Sequence, residues 1–199
     1  MTEVKVGTAP DIEGITAALV KAFDDDPVMN HIFRKGRAKK ARVFFTSDSK
    51  RSLTKGALYT TAGGPPQGGA IWMAPGEWKI GGLELLGQLP MLFHLGADTP
   101  RALSLLTQVE KLHPQEPPHW YLGVLGTAPE HQGKGVGSAL IRPILEKCDE
   151  EGLPAYLESS KESNIPFYQR HGFKVTREIN VKNGPTVWPM WRDPQPPEL

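Results

Sequence analysis

Trp120-Tyr-Leu-Gly-Val-Leu-Gly-Thr-Ala-Pro-Glu-His-Gln-Gly-Lys-Gly-Val-Gly-Ser-Ala-Leu140 reads as an apolar strand that runs into a turn, and the turn opens a helix. Glycines at 133, 135 and 137 leave little side-chain bulk where that helix begins. A helix's first turn carries unpaired backbone N–H groups and the positive end of its dipole, so a pyrophosphate can be held there. Several nucleotide folds use this physics, and spacing separates them. The phosphate loop of NTPases needs glycine five residues before its Gly-Lys pair and Ser or Thr after it. Here those positions hold Ala128 and Gly135. The dinucleotide fingerprint Gly-x-Gly-x-x-Gly fails too, because the third glycine arrives one residue early, at 137. What remains is Gln132-x-x-Gly135-x-Gly137, preceded by Leu125 and Pro129.

Downstream, Tyr156-Leu-Glu-Ser-Ser-Lys-Glu-Ser-Asn164-Ile-Pro-Phe-Tyr168-Gln-Arg-His-Gly-Phe173 reads as a strand, a loop with Asn164, a short helix carrying Phe167-Tyr168, and Gly172-Phe173 opening another strand. Upstream, Val4 and Val6 suggest a first strand, and Asp11 is placed to cap a helix with Ile12, Ile15, Leu19, Val20 and Phe23 on one stripe. That helix dissolves into Asp24-Asp25-Asp26-Pro27. A second helix is expected over 37–53, with Ala41, Phe44, Phe45 and Leu53 inward. Strands follow at 57–62 and 70–74, around a Gly/Pro-rich turn. Residues 76–118 break the rhythm with two helical stretches, 83–95 and 100–112, ended by Pro114, Pro117 and Pro118. A strand at 120–125, a helix at 135–151, a strand at 155–158 and a helix at 164–170 come next. Strands at 173–181 and 186–191 then flank Asn183-Gly184, a hairpin signal. The pattern is one α/β domain over 1–199 with a helical insertion at about 76–118.

The two blocks together resemble the acyl-CoA signature of the GNAT N-acetyltransferase superfamily. Within it the chain looks closest to the puromycin N-acetyltransferase group, through its length, its helical insertion, Leu157-Glu158-Ser159-Ser160, the Asn164-Ile-Pro-Phe-Tyr168 block and Pro143 inside the cofactor helix. That resemblance implies a mixed, mainly antiparallel sheet with splayed central strands, flanked by helices. It also implies acetyl-CoA as cosubstrate, held by Leu125, Gly126 and Thr127 at a strand end, by Gln132, Gly133, Lys134, Gly135, Val136, Gly137 and Ser138 around the pyrophosphate, and by Asn164 and Tyr168 along the pantetheine arm.

Moving an acetyl group directly from a thioester to an amine needs a neutral amine, a donor for the developing oxyanion and a proton for the departing thiolate. Tyr168 is the candidate acid, and the backbone N–H of Leu125 the candidate oxyanion donor. For the base, Glu158 at its strand end is as well explained as a structural carboxylate. His119 fits better as a solvent-facing residue after Pro117-Pro118. Cys148 sits in the cofactor helix, away from the Tyr168 block, and is rejected as a nucleophile. The six histidines lack zinc-type spacing, so no metal is expected.

Composition fits these expectations. Lys+Arg 23 against Asp+Glu 22 gives a formal net charge of +1, which offers no field for nucleic acid or an anionic membrane. One cysteine, no visible signal peptide and no long apolar run suggest a soluble, cytoplasmic protein. The acceptor is expected to be a small-molecule amine bound by the 24–33 loop, the insertion and the last hairpin. Asp24, Asp25 and Asp26 either attract a cationic amine or, as the simpler account, are solvated at a helix end. Trp72 and Trp78 either line an aromatic wall or pack in the core. Leu85, Leu86, Leu89, Leu92 and Phe93 either cover the cleft, pack on the domain or form a homodimer contact. A non-catalytic acyl-CoA sensor and a protein or peptide acetyltransferase are the alternative functions.

Overall fold

The computed structural model describes residues 2–79 and 94–195. Strand β1 (Val4–Val6) leads through a 3-10 turn (Ala9–Asp11) to helices α1 (Ile12–Ala22), α2 (Pro27–Ile32) and α3 (Arg37–Lys55), then to strands β2 (Gly56–Thr61) and β3 (Gly68–Met73). Helix α4 (Thr99–Glu110) precedes β4 (Trp120–Thr127), α5 (Val136–Glu151), β5 (Ala155–Ser159), α6 (Ile165–Gln169), β6 (Lys174–Val175), β7 (Ile179–Asn180) and β8 (Thr186–Arg192). The sheet runs β1-β2-β3-β4-β5-β8-β6, with β7 pairing β8. Only β4 and β5 are parallel; the other described pairs are antiparallel. No helix among the described residues is long and apolar enough to cross a membrane.

Each face of the sheet buries its own core. Ile15 and Leu19 of α1 and Phe45 of α3 pack with Leu58, Ile71 and Val124 on one face. On the other, Leu140, Ile141 and Ile144 of α5 pack with Trp72, Leu122, Leu157 and Met190. Strand alternation puts Ile71 and Trp72 on opposite faces, and Trp72 is a packing residue, fully buried beneath α5. Leu122 and Val124 should share a face by that rule, yet they belong to opposite cores. The β3/β4 register explains it: Trp72 pairs with Leu122 and Ile71 with Val124, so Gly123 is an extra residue. This bulge reverses the alternation over the end of β4. Leu125 therefore packs with the α5 core, while Gly126 faces α1, where a Cβ would stand 2.8 Å from Leu19 and 2.9 Å from Phe23.

Four details differ from the sequence reading. Asp11 holds the N-cap position of α1, but its side chain makes no capping hydrogen bond there; its carboxylate accepts the Thr8 N–H at 2.9 Å, in a capping box around the preceding 3-10 turn. The 24–33 stretch is not all loop, because Asp26 caps a helix opening at Pro27. Leu53 is 39% exposed: the inward stripe of α3 runs Ala41, Phe45, Ser49, Ser52, and the next residue lies about 100° further round. The expected 173–181 strand is split into β6 and β7, since β8 presents Pro189, which has no N–H for the ladder, between the two paired stretches. The Asn183-Gly184 hairpin forms, but as a five-residue loop with Asn183 at φ 59°. The expected 83–95 helix lies outside the described residues but for its last two, as do Leu85, Leu86, Leu89, Leu92 and Phe93.

Candidate active site

The β4/β5 pairing ends at Leu122 and Leu157, while β4 continues to Thr127 and β5 to Ser159. The strands part there, and a polar cleft of about 640 Å³ occupies the gap. One wall is the end of β4. The floor is the start of α5, where Gly133 and Gly135 have φ of 73° and 80°. That left-handed backbone suits glycine, and a Cβ at either position would meet nothing within 4 Å. Space and free N–H groups therefore lie together at the α5 N-terminus, and these residues fit a pyrophosphate. Gln132 braces the turn, its amide donating to the Thr127 carbonyl at 3.0 Å.

The opposite wall is the end of β5 and helix α6. Leu125, Gly126, Thr127, Gln132, Gly133, Gly135, Val136, Gly137, Ser138, Glu158, Asn164 and Tyr168 all line the cleft. Lys134 does not; its ammonium turns back to the Glu130 carbonyl at 2.9 Å. Burial pushes the Tyr168 phenol well above its ordinary pKa, and the Asp26 charge adds to the effect. The phenol therefore stays protonated. Burial also pushes the Cys148 thiol up to about 12, which removes it as a nucleophile.

A second cavity, about 160 Å³ and mostly apolar, adjoins the first. Met29 and Ile32 of α2, Phe44 of α3, and Leu105, Leu106 and Val109 of α4 form its walls. The two cavities share Phe23, Asp26, Gly123, Val124, Glu158 and Ser160. At this junction one of the three aspartates departs from the solvated reading. Asp24 and Asp25 are exposed and pair with Arg37 and Lys161. Asp26 is buried, accepts the Met29 N–H at 2.9 Å and takes a short hydrogen bond from Ser160.

His119 is not solvent-facing; it is 2% exposed, and burial lowers its pKa. Its Nδ1 lies 2.8 Å from the Pro117 carbonyl oxygen and its Nε2 3.0 Å from Nε2 of His113. His113 stacks on Trp78 at 3.7 Å, with Tyr121 and Tyr156 edge-on, and its Nδ1 lies 3.4 Å from Glu158 Oε1. Burial and the Glu158 charge together raise both tyrosine pKa values far above ordinary. Sequence reasoning favoured a solvated position for Asp26, which is buried, and missed Ser160 and His113. The available signal for the last was a second histidine six residues before His119, across a proline-rich loop that folds the two rings together.

A model described as the acetyltransferase (GNAT) family matches residues 100–173. An uncharacterized N-acetyltransferase of Schizosaccharomyces pombe is 30% identical over 184 residues, spanning 86% of this chain and 74% of that protein. Among solved structures, a histone acetyltransferase HPA2 and related acetyltransferase from Corynebacterium glutamicum superposes with a TM-score of 0.72 at 25% identity, covering 100% of both chains. PaiA N-acetyltransferase from Thermoplasma acidophilum, solved in complex with coenzyme A, shares the fold with a TM-score of 0.60 at 12% identity, over 97% of this chain and 99% of its own.

Proposed function

The chain belongs to the acetyltransferase (GNAT) family, and on that premise we propose that it moves an acetyl group from acetyl-CoA directly to the amine of a small, partly apolar molecule. One observation carries the reading: a polar cleft of about 640 Å³ with a glycine-lined helix start opens onto an apolar cavity of about 160 Å³, and Glu158 stands at their junction. The cofactor supplies an activated acetyl thioester. Backbone N–H groups at Gly133 to Ser138 hold its pyrophosphate, and Asn164 and Tyr168 flank the arm that leads inward.

The chain's own residues then meet three demands. Glu158 takes the proton from the incoming ammonium. The β4 edge beyond Leu122 has lost its β5 partner, which leaves the Leu125 backbone N–H as the donor for the developing oxyanion. Tyr168 donates a proton to the departing thiolate. Dry surroundings weaken the phenol as an acid, but they disfavour the thiolate as well, so the two rise together. The acceptor's apolar body occupies the second cavity, under α2 and α4, and Asp26 and Glu158 draw its cationic end to the junction. The likeness to the puromycin N-acetyltransferase group supports an amine with an apolar body and does not name it.

Release of free thiol from acetyl-CoA, followed across alkylamines, arylalkylamines, polyamines, amino acids and peptides, tests the reading. Turnover is expected with primary or secondary amines bearing an apolar group. Turnover confined to peptides would point to an open groove and refute the small-molecule acceptor. CoA binding without turnover on any amine would leave a sensor.

A further inference from the structure

The histidine pair beside Glu158 has a hydrogen-bond order that its geometry dictates. A carbonyl oxygen only accepts, so His119 donates its Nδ1–H to Pro117 across 2.8 Å. A neutral His119 then has only a lone pair at Nε2, and burial, which lowers its pKa, favours that neutral form. Across the 3.0 Å contact His113 must therefore donate from Nε2. With its one proton committed there, neutral His113 turns a lone pair at Nδ1 toward Glu158 Oε1, 3.4 Å away. An ionised carboxylate facing that lone pair is an acceptor facing an acceptor. Oε1 is buried, and no aligned hydrogen bond to it is found among the described residues. The gap between Nδ1 and Oε1 is shaped to receive one proton, and neither neutral histidine supplies it.

We propose that His113 is the positioning residue of the reaction, storing at Nδ1 the proton that Glu158 removes from the acceptor. The proposal rests on the acetyl-transfer reading of the site. An ammonium gives its proton to the Glu158 carboxylate and becomes the neutral amine. The carboxylic acid passes that proton to Nδ1, giving an imidazolium against a regenerated carboxylate. His119, anchored by Pro117, fixes the tautomer that leaves Nδ1 open. Among the described residues, the other titratable groups around Glu158 and His113 are His119, Tyr121 and Tyr156. The charges of Glu116, Asp48 and Arg177 act on His119, Tyr121 and Tyr156 respectively. Trp78 and Trp191 cover the rings with uncharged surface.

Two measurements test it, the first independent of activity. Histidine ring ¹H–¹⁵N correlation spectra of the ligand-free chain should show His119 as the Nδ1–H tautomer and His113 carrying its proton at Nε2. An N–H at His119 Nε2, or a lone pair at His113 Nε2, would overturn the hydrogen-bond order and the proposal. The second compares pH profiles of kcat/KM for the wild type and His113→Asn, on an amine that the wild type acetylates. The asparagine amide can donate toward Glu158 but cannot take up a proton, so the acid limb should move to lower pH and kcat should fall about tenfold or more. KM for acetyl-CoA should stay within about twofold. A fall in kcat with an unmoved acid limb would make His113 a structural residue only and refute this proposal alone. Absence of turnover with every amine would refute the acetyl-transfer reading, and this proposal with it.

Discussion

Replacing Asp48 with asparagine should stabilise the protein, and by an amount that grows with pH. Asp48 lies on α3, where burial raises its pKa to about 6 and the Arg51 charge only partly offsets that. In the unfolded chain the same carboxyl ionises near its ordinary 3.8. A folded-state pKa above the unfolded one means the protonated acid is the form the fold tolerates. Its contribution is fully present below pH 3.8 and is lost as pH rises through 6. At about 1.36 kcal/mol per pH unit, the gap costs the wild type about 3 kcal/mol at pH 8 and under about 1 kcal/mol at pH 4. Asparagine has nearly the same shape and cannot ionise, so Asp48→Asn escapes the whole of that penalty. Urea unfolding of both proteins at a series of pH values reads the difference as a shift in midpoint at constant m-value. An advantage that does not grow between pH 4 and pH 8, or a variant less stable than the wild type at pH 8, would refute the reasoning. The carboxylate would then be hydrated or paired in the fold.

Two further predictions address the site. Tyr168→Phe should keep the ring's packing and the affinity for CoA while kcat falls roughly 10²–10⁴-fold, the usual worth of a general acid; single-turnover rates on a slow acceptor decide it, and an unchanged rate would remove Tyr168 from the chemistry. Leu106 lines the apolar cavity yet is 45% exposed, so Leu106→Ala should change the melting temperature little. It should raise KM for the acceptor at least severalfold and leave KM for acetyl-CoA alone, and equal effects on both constants would place the acceptor elsewhere.

The parts of this molecule that were legible in its sequence are those set by local chemistry. Glycines at 133, 135 and 137 ahead of an amphipathic helix announced a ligand-binding helix start, and the fold places Gly133 and Gly135 in left-handed backbone there. Most elements followed from period and turn residues in the same way. What escaped depends on contacts between distant segments. The bulge at Gly123 arises from the register with β3, and no strand pattern reveals that Leu125 faces α5 because of it. Asp26 read as one of three solvated acids until α2 formed beside it and Ser160 came into range, 134 residues away in sequence. His119 read as a surface residue after two prolines, and His113 drew no reading beyond its lack of zinc-type spacing. Their burial required Trp78 and Tyr156, from other segments, to close around them. Lys134 shows the opposite error, for it belongs to the glycine motif by position and yet points out of the cleft.

Titration calorimetry with CoA on three proteins, the wild type and two glycine variants, tests directly whether the α5 start is the coenzyme's seat. Gly135→Val places a branched side chain in the open space of the cleft, at a backbone φ of 80°. Gly152→Val carries the same kind of strain, at φ 67°, at the far end of the same helix, and Gly152 does not line the cleft. If CoA lies on the turn, Gly135→Val loses at least tenfold in affinity, about 1.4 kcal/mol, while Gly152→Val binds like the wild type. Equal losses in both variants, or CoA affinity unchanged in Gly135→Val, would contradict it.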